Sequence, residues 1–107
     1  MNIYNLLKGE ISQKELLNYY NACITYIELP NKVNGLVYQY KGFFNIFISK
    51  SLSYYKKRKT ILHELAHIEL NQLNQSNKDL FAFYTDKYED EADRYVKFIV
   101  NSLKDNL

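Results

Sequence analysis

The stretch TILHELAHIEL, residues 60–70, contains both histidines of the 107-residue chain, His63 and His67. A helix places residues four apart on the same face, one turn from each other. The neighbouring side chains are mostly apolar, which predicts a helix that is buried on most sides: Ile61, Leu62, Leu65, Ala66 and Ile68. A buried imidazole without a partner costs about 1–3 kcal/mol. The pair therefore predicts a bound ligand or specific hydrogen-bond partners.

The residue after the first histidine is Glu64, so the stretch contains the motif His-Glu-x-x-His of zinc peptidases. Two imidazoles at this spacing can bind one ion at about 2.0–2.1 Å. Glu64 lies about 100° away around the helix, where it is a poor ligand but can reach a water on the metal. We therefore expect one Zn²⁺ per chain, bound by His63 and His67, with Glu64 as general base. The alternative is a chance match on an ordinary helix.

A third ligand must come from another part of the chain, because no histidine remains and the chain has a single cysteine. YEDEADRY, residues 88–95, offers four carboxylates at the start of a predicted helix: Glu89, Asp90, Glu91 and Asp93. The helical period points Asp90 to solvent and places Glu89 and Glu91 on opposite flanks of the apolar stripe, Glu89 closer. Asp93 shares the flank of Glu89, so we expect Glu89 to bind the metal and Asp93 to accept a hydrogen bond from a ligand histidine. The alternative is an acidic first turn that complements the helix dipole.

Composition and charge limit the class of protein. A chain of 107 residues, 47% hydrophobic and 24% charged, suffices for one globular domain and is too short for two. The net charge of +2 argues against a protein that coats nucleic acid. No secretory signal is visible, and no apolar stretch approaches the roughly 20 residues that span a bilayer. A lone thiol, Cys23, fits a reducing compartment. We therefore expect one cytoplasmic domain over residues 1–107 that contacts neither nucleic acid nor membrane directly.

The chain before the histidines predicts a helix and a small sheet. Ser12 is the expected N-cap of a helix over 12–22, with Glu15 completing a capping box. Strands are predicted over 24–29, 35–40 and 44–49. The last two flank Lys41 and Gly42, a tight-turn signal that predicts a hairpin. Because the connections are too short for parallel crossovers, we expect a three-stranded antiparallel sheet.

The second half of the chain has helical periodicity. Helices are predicted from about 53 to 73 and from 86 to 103. Between them, the polar segment 71–79 is expected to be a loop or a frayed helix end, and 80–85 a short strand or a buried loop. The fold class is therefore α+β.

Two further groups of residues are candidates for function. The basic run KKRK, residues 56–59, is interpreted as a solvated helix face, with docking to an acidic partner surface as the alternative. Tyr84 and Tyr88 precede or open the last helix near the expected cleft. Each is a candidate to donate a hydrogen bond to the oxyanion of a tetrahedral intermediate.

HELAH followed about twenty residues later by YEDEADRYVKFIV resembles the ImmA/IrrE metallopeptidases, whose pattern is His-Glu-(Leu/Ile)-(Gly/Ala)-His and then Glu-x-x-Ala-Asn-x-Phe-Ala. The resemblance covers about residues 35–100. It implies one minimal zincin-like domain in which an active-site helix faces a C-terminal ligand helix. It also implies zinc ligands at three positions and a catalytic base at Glu64; the ligands are His63, His67 and Glu89. Glu89 matches because the family's ligand stands three residues before an alanine, here Ala92, and Asp93 stands where the family has Asn.

The resemblance further implies a zinc-dependent endopeptidase that cleaves a helix-turn-helix transcriptional repressor of a phage or mobile element. A second interpretation is a non-catalytic antirepressor on the same fold, which sequesters its partner and has a structural metal or none. Glu64 distinguishes the two, because a structural site needs no base. The sequence therefore favours the enzyme.

Overall fold

The computed structural model describes residues 1–30, 33–71 and 86–105, with backbone alone at 86–88 and 105. The elements in these ranges confirm the α+β class: α1 (Ile3–Leu7), α2 (Gln13–Tyr20), β1 (Ala22–Ile27), β2 (Gly35–Tyr40), β3 (Phe43–Ser49), α3 (Tyr54–Glu69) and α4 (Asp86–Asp105). The segment predicted as a short strand or buried loop, 80–85, lies outside the described residues, as does the predicted loop after residue 71. No helix in the described part of the chain is long and apolar enough to cross a membrane.

The sheet is mixed, so the predicted antiparallel sheet is wrong in one of its two pairings. The strand order is β1-β3-β2. The β2–β3 hairpin is antiparallel as predicted, with Tyr40 opposite Phe43. β1 runs parallel to β3, with Ala22 opposite Phe44 and Ile27 opposite Ser49.

The parallel pair needs no helical crossover because β2 itself returns the chain to the end of the sheet at which β1 begins. β1 ends at Ile27, and β2 begins at Gly35 at the same end of the sheet. The connection between them passes the end of β3, where the amide of Ser49 donates to the carbonyl of Asn34 (2.8 Å). The amide of Lys50 donates to the carbonyl of Ile27 (2.9 Å). The prediction assumed that consecutive strands are neighbours, and β3 instead lies between β1 and β2.

The helix starts follow the capping signals in the sequence. Ser12 caps α2, and its side chain and that of Glu15 form the predicted capping box. Ser53 caps α3 by accepting from the amide of Lys56 (3.2 Å). α3 ends at Glu69, about a turn before the predicted end. Asn71 has a left-handed backbone (φ 55°) that a continuing helix cannot contain.

The histidine-bearing helix packs directly on the sheet. Leu65 and Ala66 of α3 are fully buried in a core that includes Ile46 and Ile48 of β3. The helix and the sheet approach each other even more closely at Gly35 of β2. A Cβ there would lie 2.6 Å from Cγ2 of Thr60 and 3.0 Å from the Phe47 carbonyl oxygen. Glycine therefore lets α3 lie close against the start of β2.

Glu69, the last residue of α3, joins three parts of the chain through its carboxylate. The amide of Ile3 donates to Oε1 (2.6 Å), and the hydroxyl of Tyr95 on α4 donates to Oε2 (2.6 Å). Burial raises the pKa of Tyr95 above its usual value, and the hydrogen bond to Glu69 raises it further. Burial and the charge of Glu69 likewise raise the pKa of Tyr20 on α2. Glu69 therefore ties both N-terminal helices and α4 to the end of the helix that carries the histidines.

We expect Glu69→Gln to destabilise the fold. The amide has one acceptor oxygen where the carboxylate has two, and it loses the negative charge that strengthens both hydrogen bonds. The expected loss in the free energy of unfolding is about 1.5–3 kcal/mol, measured by urea denaturation. Glu28→Gln is the matched control, because the Glu28 side chain is 81% exposed and, within the described ranges, forms an ion pair with Lys50 alone. Equal stability of the two variants would refute this role for Glu69.

Candidate metal centre

The two histidines project from α3 towards α4. The rings of His63 and His67 are 4.8 Å apart and nearly perpendicular, at 86°. His67 is fully buried, and the His63 side chain is 18% exposed. The Nε2 atoms of the two rings lie 3.2 Å apart. The i, i+4 spacing therefore directs two nitrogen donors to one point, as expected for a helix.

Two carboxylates of α4 lie against these rings. Oε1 of Glu89 is 2.8 Å from Nε2 of His67, and Oε2 of Glu89 is 3.2 Å from Nε2 of His63. Asp93 lies one turn further along α4, and its Oδ1 is 2.8 Å from Nδ1 of His63. Glu89 thus meets both donor nitrogens, while Asp93 contacts the opposite nitrogen of one ring. The structure brings together the four residues that the helical periods predicted to be neighbours.

The donor set fits a divalent transition metal. His63, His67 and Glu89 each offer one ligand atom, and these atoms lie within 4.8 Å of one another. Tetrahedral binding at about 2.0–2.1 Å would place ligand atoms roughly 3.4 Å apart. The nitrogen and oxygen atoms are already close to that separation, at 2.8–3.2 Å. Two imidazoles and one carboxylate are the protein ligands of one class of catalytic zinc site.

The electrostatics of the cluster follow from its close pairing. Burial lowers the pKa of His63, but the hydrogen bond to Glu89 and the nearby carboxylates outweigh burial and raise it to about 9. Burial raises the pKa of Glu89, but its hydrogen bonds to His63 and His67 outweigh burial and lower it to about 2. The pairing therefore favours a positive charge on His63 and a negative charge on Glu89.

Glu64 lies beside the cluster and makes none of these contacts. It is 4% exposed, and its Oε2 has no hydrogen-bond partner among the described residues. Burial and the charge of Glu89 raise the pKa of Glu64 to about 8, although the charge of His63 opposes the rise. Buried polar atoms normally have a partner. The Oε2 atom of Glu64 is therefore an exception to this rule, and it lies next to the three side chains that could hold a metal ion.

A cleft of about 400 Å³ opens beside the cluster. The N-terminal half of α3, the start of β2 with the residues before it, and the first turns of α4 form its walls. Its lining includes His63, Glu64, Glu89 and Asp93, together with Val33, Asn34, Gly35, Lys56, Lys59 and Thr60. The cluster is therefore accessible to a ligand that enters between α3 and α4.

The cleft contains residues that the sequence interpretation did not assign to it. Lys56 and Lys59 are exposed, as the interpretation of the basic run states, but both also line the cleft. Their spacing of seven and four residues before His63 is the signal that places them on its side of the helix. Tyr84 lies outside the described residues, and the side chain of Tyr88 is not described. Their roles as oxyanion donors stay predictions.

Comparison with known proteins identifies the family. Neither the curated proteins nor the solved structures contain a match to this chain. The profile of Peptidase_M78, described as the IrrE N-terminal-like domain, matches residues 18–99. The matched range is well over half of the chain and includes all three strands, α3 and most of α4. It therefore confirms the resemblance seen in the two motifs, and the chain belongs to the Peptidase_M78 family of metallopeptidases.

Proposed function

We propose that the protein is a zinc-dependent endopeptidase in which Glu64 is the catalytic base. The observation that carries the proposal is the buried, unpartnered Oε2 of Glu64 beside the His63, His67 and Glu89 donor set. Keeping such a carboxylate in the fold costs stability, and a site with only a structural metal has no use for it. Membership of a metallopeptidase family supports the same assignment.

The proposed mechanism assigns one task to each side chain. His63 and His67, through Nε2, and Glu89, through one oxygen, would hold the ion. Asp93 accepts a hydrogen bond from Nδ1 of His63, which fixes the ring orientation and its tautomer (2.8 Å). When bound, the ion would supply Lewis-acid polarisation of the peptide carbonyl and would lower the pKa of a water.

Glu64 carries out the proton transfers. Its Oε2 accepts a proton from the water that attacks the peptide carbonyl, and the same oxygen returns that proton to the departing amine nitrogen. Burial and the charge of Glu89 raise the pKa of Glu64 from 4.5 to about 8, towards neutrality, where a side chain can both accept and release a proton.

The proposed substrate is a helix-turn-helix repressor of a phage or mobile element, and the proposed compartment is the cytoplasm. The ImmA/IrrE resemblance supports both. Sequestration of the same repressor without cleavage is the competing function. The two functions differ in whether the repressor's chain is cut.

We expect the zinc-loaded protein to cut the repressor encoded beside its gene, and a chelator to stop the cleavage. Fragments are followed by gel and mass spectrometry, and added Zn²⁺ should restore them. Circular dichroism of the chelated protein checks that the fold survives. If the repressor stays intact and co-purifies with the zinc-loaded protein, the protein is an antirepressor and the peptidase proposal is wrong.

A further inference from the structure

Four consecutive basic residues, 56–59, lie within the first two turns of α3. Their contacts in the structure divide them into two pairs. Lys57 Nζ lies 5.4 Å from the ring centre of Tyr26. Arg58 lies over the ring of Tyr54 and donates to its hydroxyl (3.3 Å). We call Lys57 and Arg58 the outer pair. Both have aromatic partners on the protein surface, which accounts for their position without a ligand.

The other two residues, Lys56 and Lys59, are the cleft pair. Both line the cleft beside His63 and Glu64, and both are exposed. Neither ammonium group forms an ion pair or a cation–π contact with any residue in the described ranges. Two positive charges therefore face the cleft without a protein partner in that part of the chain.

The cleft pair lies at the N-terminal end of α3, where the helix dipole is also positive. The first turn of α3 contains no acidic residue. Helix N-termini carry partial positive charge, so lysines near this end cost stability instead of adding to it. The cleft also contains three carboxylates, Glu64, Glu89 and Asp93, of which Glu89 and Asp93 are paired with histidines. Helix dipole and lysines therefore add together at the N-terminal end of α3.

The spacing along α3 fixes how far the cleft pair lies from the proposed reaction centre. Lys59 is four residues and Lys56 seven residues before His63. At 1.5 Å per residue they lie about 6 Å and 10 Å from it along the helix axis. An extended peptide advances about 3.3 Å per residue. A substrate side chain that meets these lysines would therefore belong to a residue about two or three positions from the scissile bond.

We propose that Lys56 and Lys59 form a subsite that selects an aspartate or glutamate side chain of the peptide substrate. The inference rests on the proposed function, because it names a specificity of the same cleft. Exposed pairs of opposite charge contribute modestly and weaken with salt, so the subsite adds selectivity and not most of the affinity.

Two charge-reversed variants test the subsite. K56E/K59E reverses the cleft pair, and K57E/R58E reverses the outer pair with the same change in net charge. Each is combined with Glu64→Gln, so that binding is measured without cleavage. The probes are fluorescent ten-residue peptides of one neutral sequence, in which a single Asp or Lys occupies each position in turn. Anisotropy titrations in Zn²⁺ at low and high salt give the affinities, and the same peptides are offered to the active protein.

We expect Asp at one or two adjacent positions to bind about tenfold more tightly than Lys there, and high salt to reduce the difference. K56E/K59E should reverse the preference to Lys, whereas K57E/R58E should keep it. Equal binding of the two peptide series, or no detectable binding of either, overturns the subsite. So does an Asp preference that survives K56E/K59E. An Asp preference without any cleavage by the active protein would retain the subsite and contradict the peptidase instead.

Discussion

Glu64→Gln is expected to abolish cleavage while the fold and the metal content stay as in the wild type. A general base contributes about 10²–10⁴-fold to the rate, and the amide cannot accept the proton. The substitution keeps the shape of the side chain, so the cleft should still bind its substrate. Because Glu64 contacts neither histidine nor Glu89 through Oε2, its loss removes no metal ligand.

The fold should tolerate this change because the wild-type carboxylate is itself unfavourable in its buried position. Burial raises the pKa of Glu64 from 4.5 to about 8. When the pKa of a carboxyl group is raised in the folded state, the free energy of unfolding falls as the pH increases from the group's ordinary pKa to its raised pKa. Glutamine does not ionise, so the variant avoids that loss. At pH 8 we expect the variant to be at least as stable as the wild type.

The measurement compares repressor cleavage by wild type, Glu64→Gln and Glu28→Gln, with zinc content measured by native mass spectrometry. Glu28 lies on the surface, at 81% side-chain exposure, and serves as the control for the chemical change itself. Cleavage by Glu64→Gln at the wild-type rate would remove Glu64 as the base. Full relief of repression by the variant, with the repressor intact, would establish sequestration as the function.

Glu89→Gln is expected to lose the metal, whereas Glu91→Gln is expected to retain it. Glu89 is the only one of the two that lines the cleft, and each of its oxygens faces an Nε2 atom. An amide at this position removes the negative charge and one oxygen acceptor from the ligand set. We expect the Kd for Zn²⁺ to rise more than 100-fold, above the 10- to 100-fold typical for residues that only orient a ligand.

Competition with a chromophoric chelator measures these affinities. The Zn²⁺ affinity of Asp93→Asn should fall between the affinities of these two variants, because Asp93 contacts a histidine and is not one of the proposed ligands. Glu91→Gln applies the same chemical change two residues away on the same helix. Equal loss of metal in Glu89→Gln and Glu91→Gln, or loss in Glu91→Gln alone, would contradict the assignment of Glu89.

Local signals in the sequence predicted most of the elements. The Ser12 and Glu15 capping box is present, β2 has its predicted bounds, and α4 begins at Asp86. Caps and turns depend on side chains within a few residues of one another, so a sequence pattern contains what determines them. α1 was not predicted because five residues are too few to show a helical period. Its cap is a reciprocal pair of side chains, Asn2 and Asn5.

Interactions between segments that are distant along the chain cannot be predicted from such local patterns. Whether β1 pairs with β2 or β3 depends on which sheet edge remains open, and no pattern within a strand specifies that edge. The end of α3 was missed because Leu70 continues the apolar pattern while Asn71 turns the backbone. Glu69 was overlooked because its partners lie at the opposite ends of the chain, at Ile3 and Tyr95.

The candidate site was more accessible to sequence reasoning, because it depends on helical phase. A fixed rotation per residue relates His63 to His67 and Glu89 to Asp93, and the structure places these pairs face to face. Their assigned roles stay predictions until metal and activity are measured. The spacing from His63 places Lys59 on the same side of α3. That this side borders a cleft depends on where β2 and α4 lie, and the pattern of α3 alone does not contain that information.

The mixed sheet also determines the order in which this protein can fold. The β2–β3 hairpin joins Tyr40 to Phe43 across a tight turn, whereas β1 pairs Ala22 with Phe44, much further along the chain. Closing a short loop costs less entropy than closing a long one, and hairpins form within microseconds. β1 also has no strand to pair with until β3 has formed. We therefore expect the hairpin to form first and β1 to join it in a later, slower step.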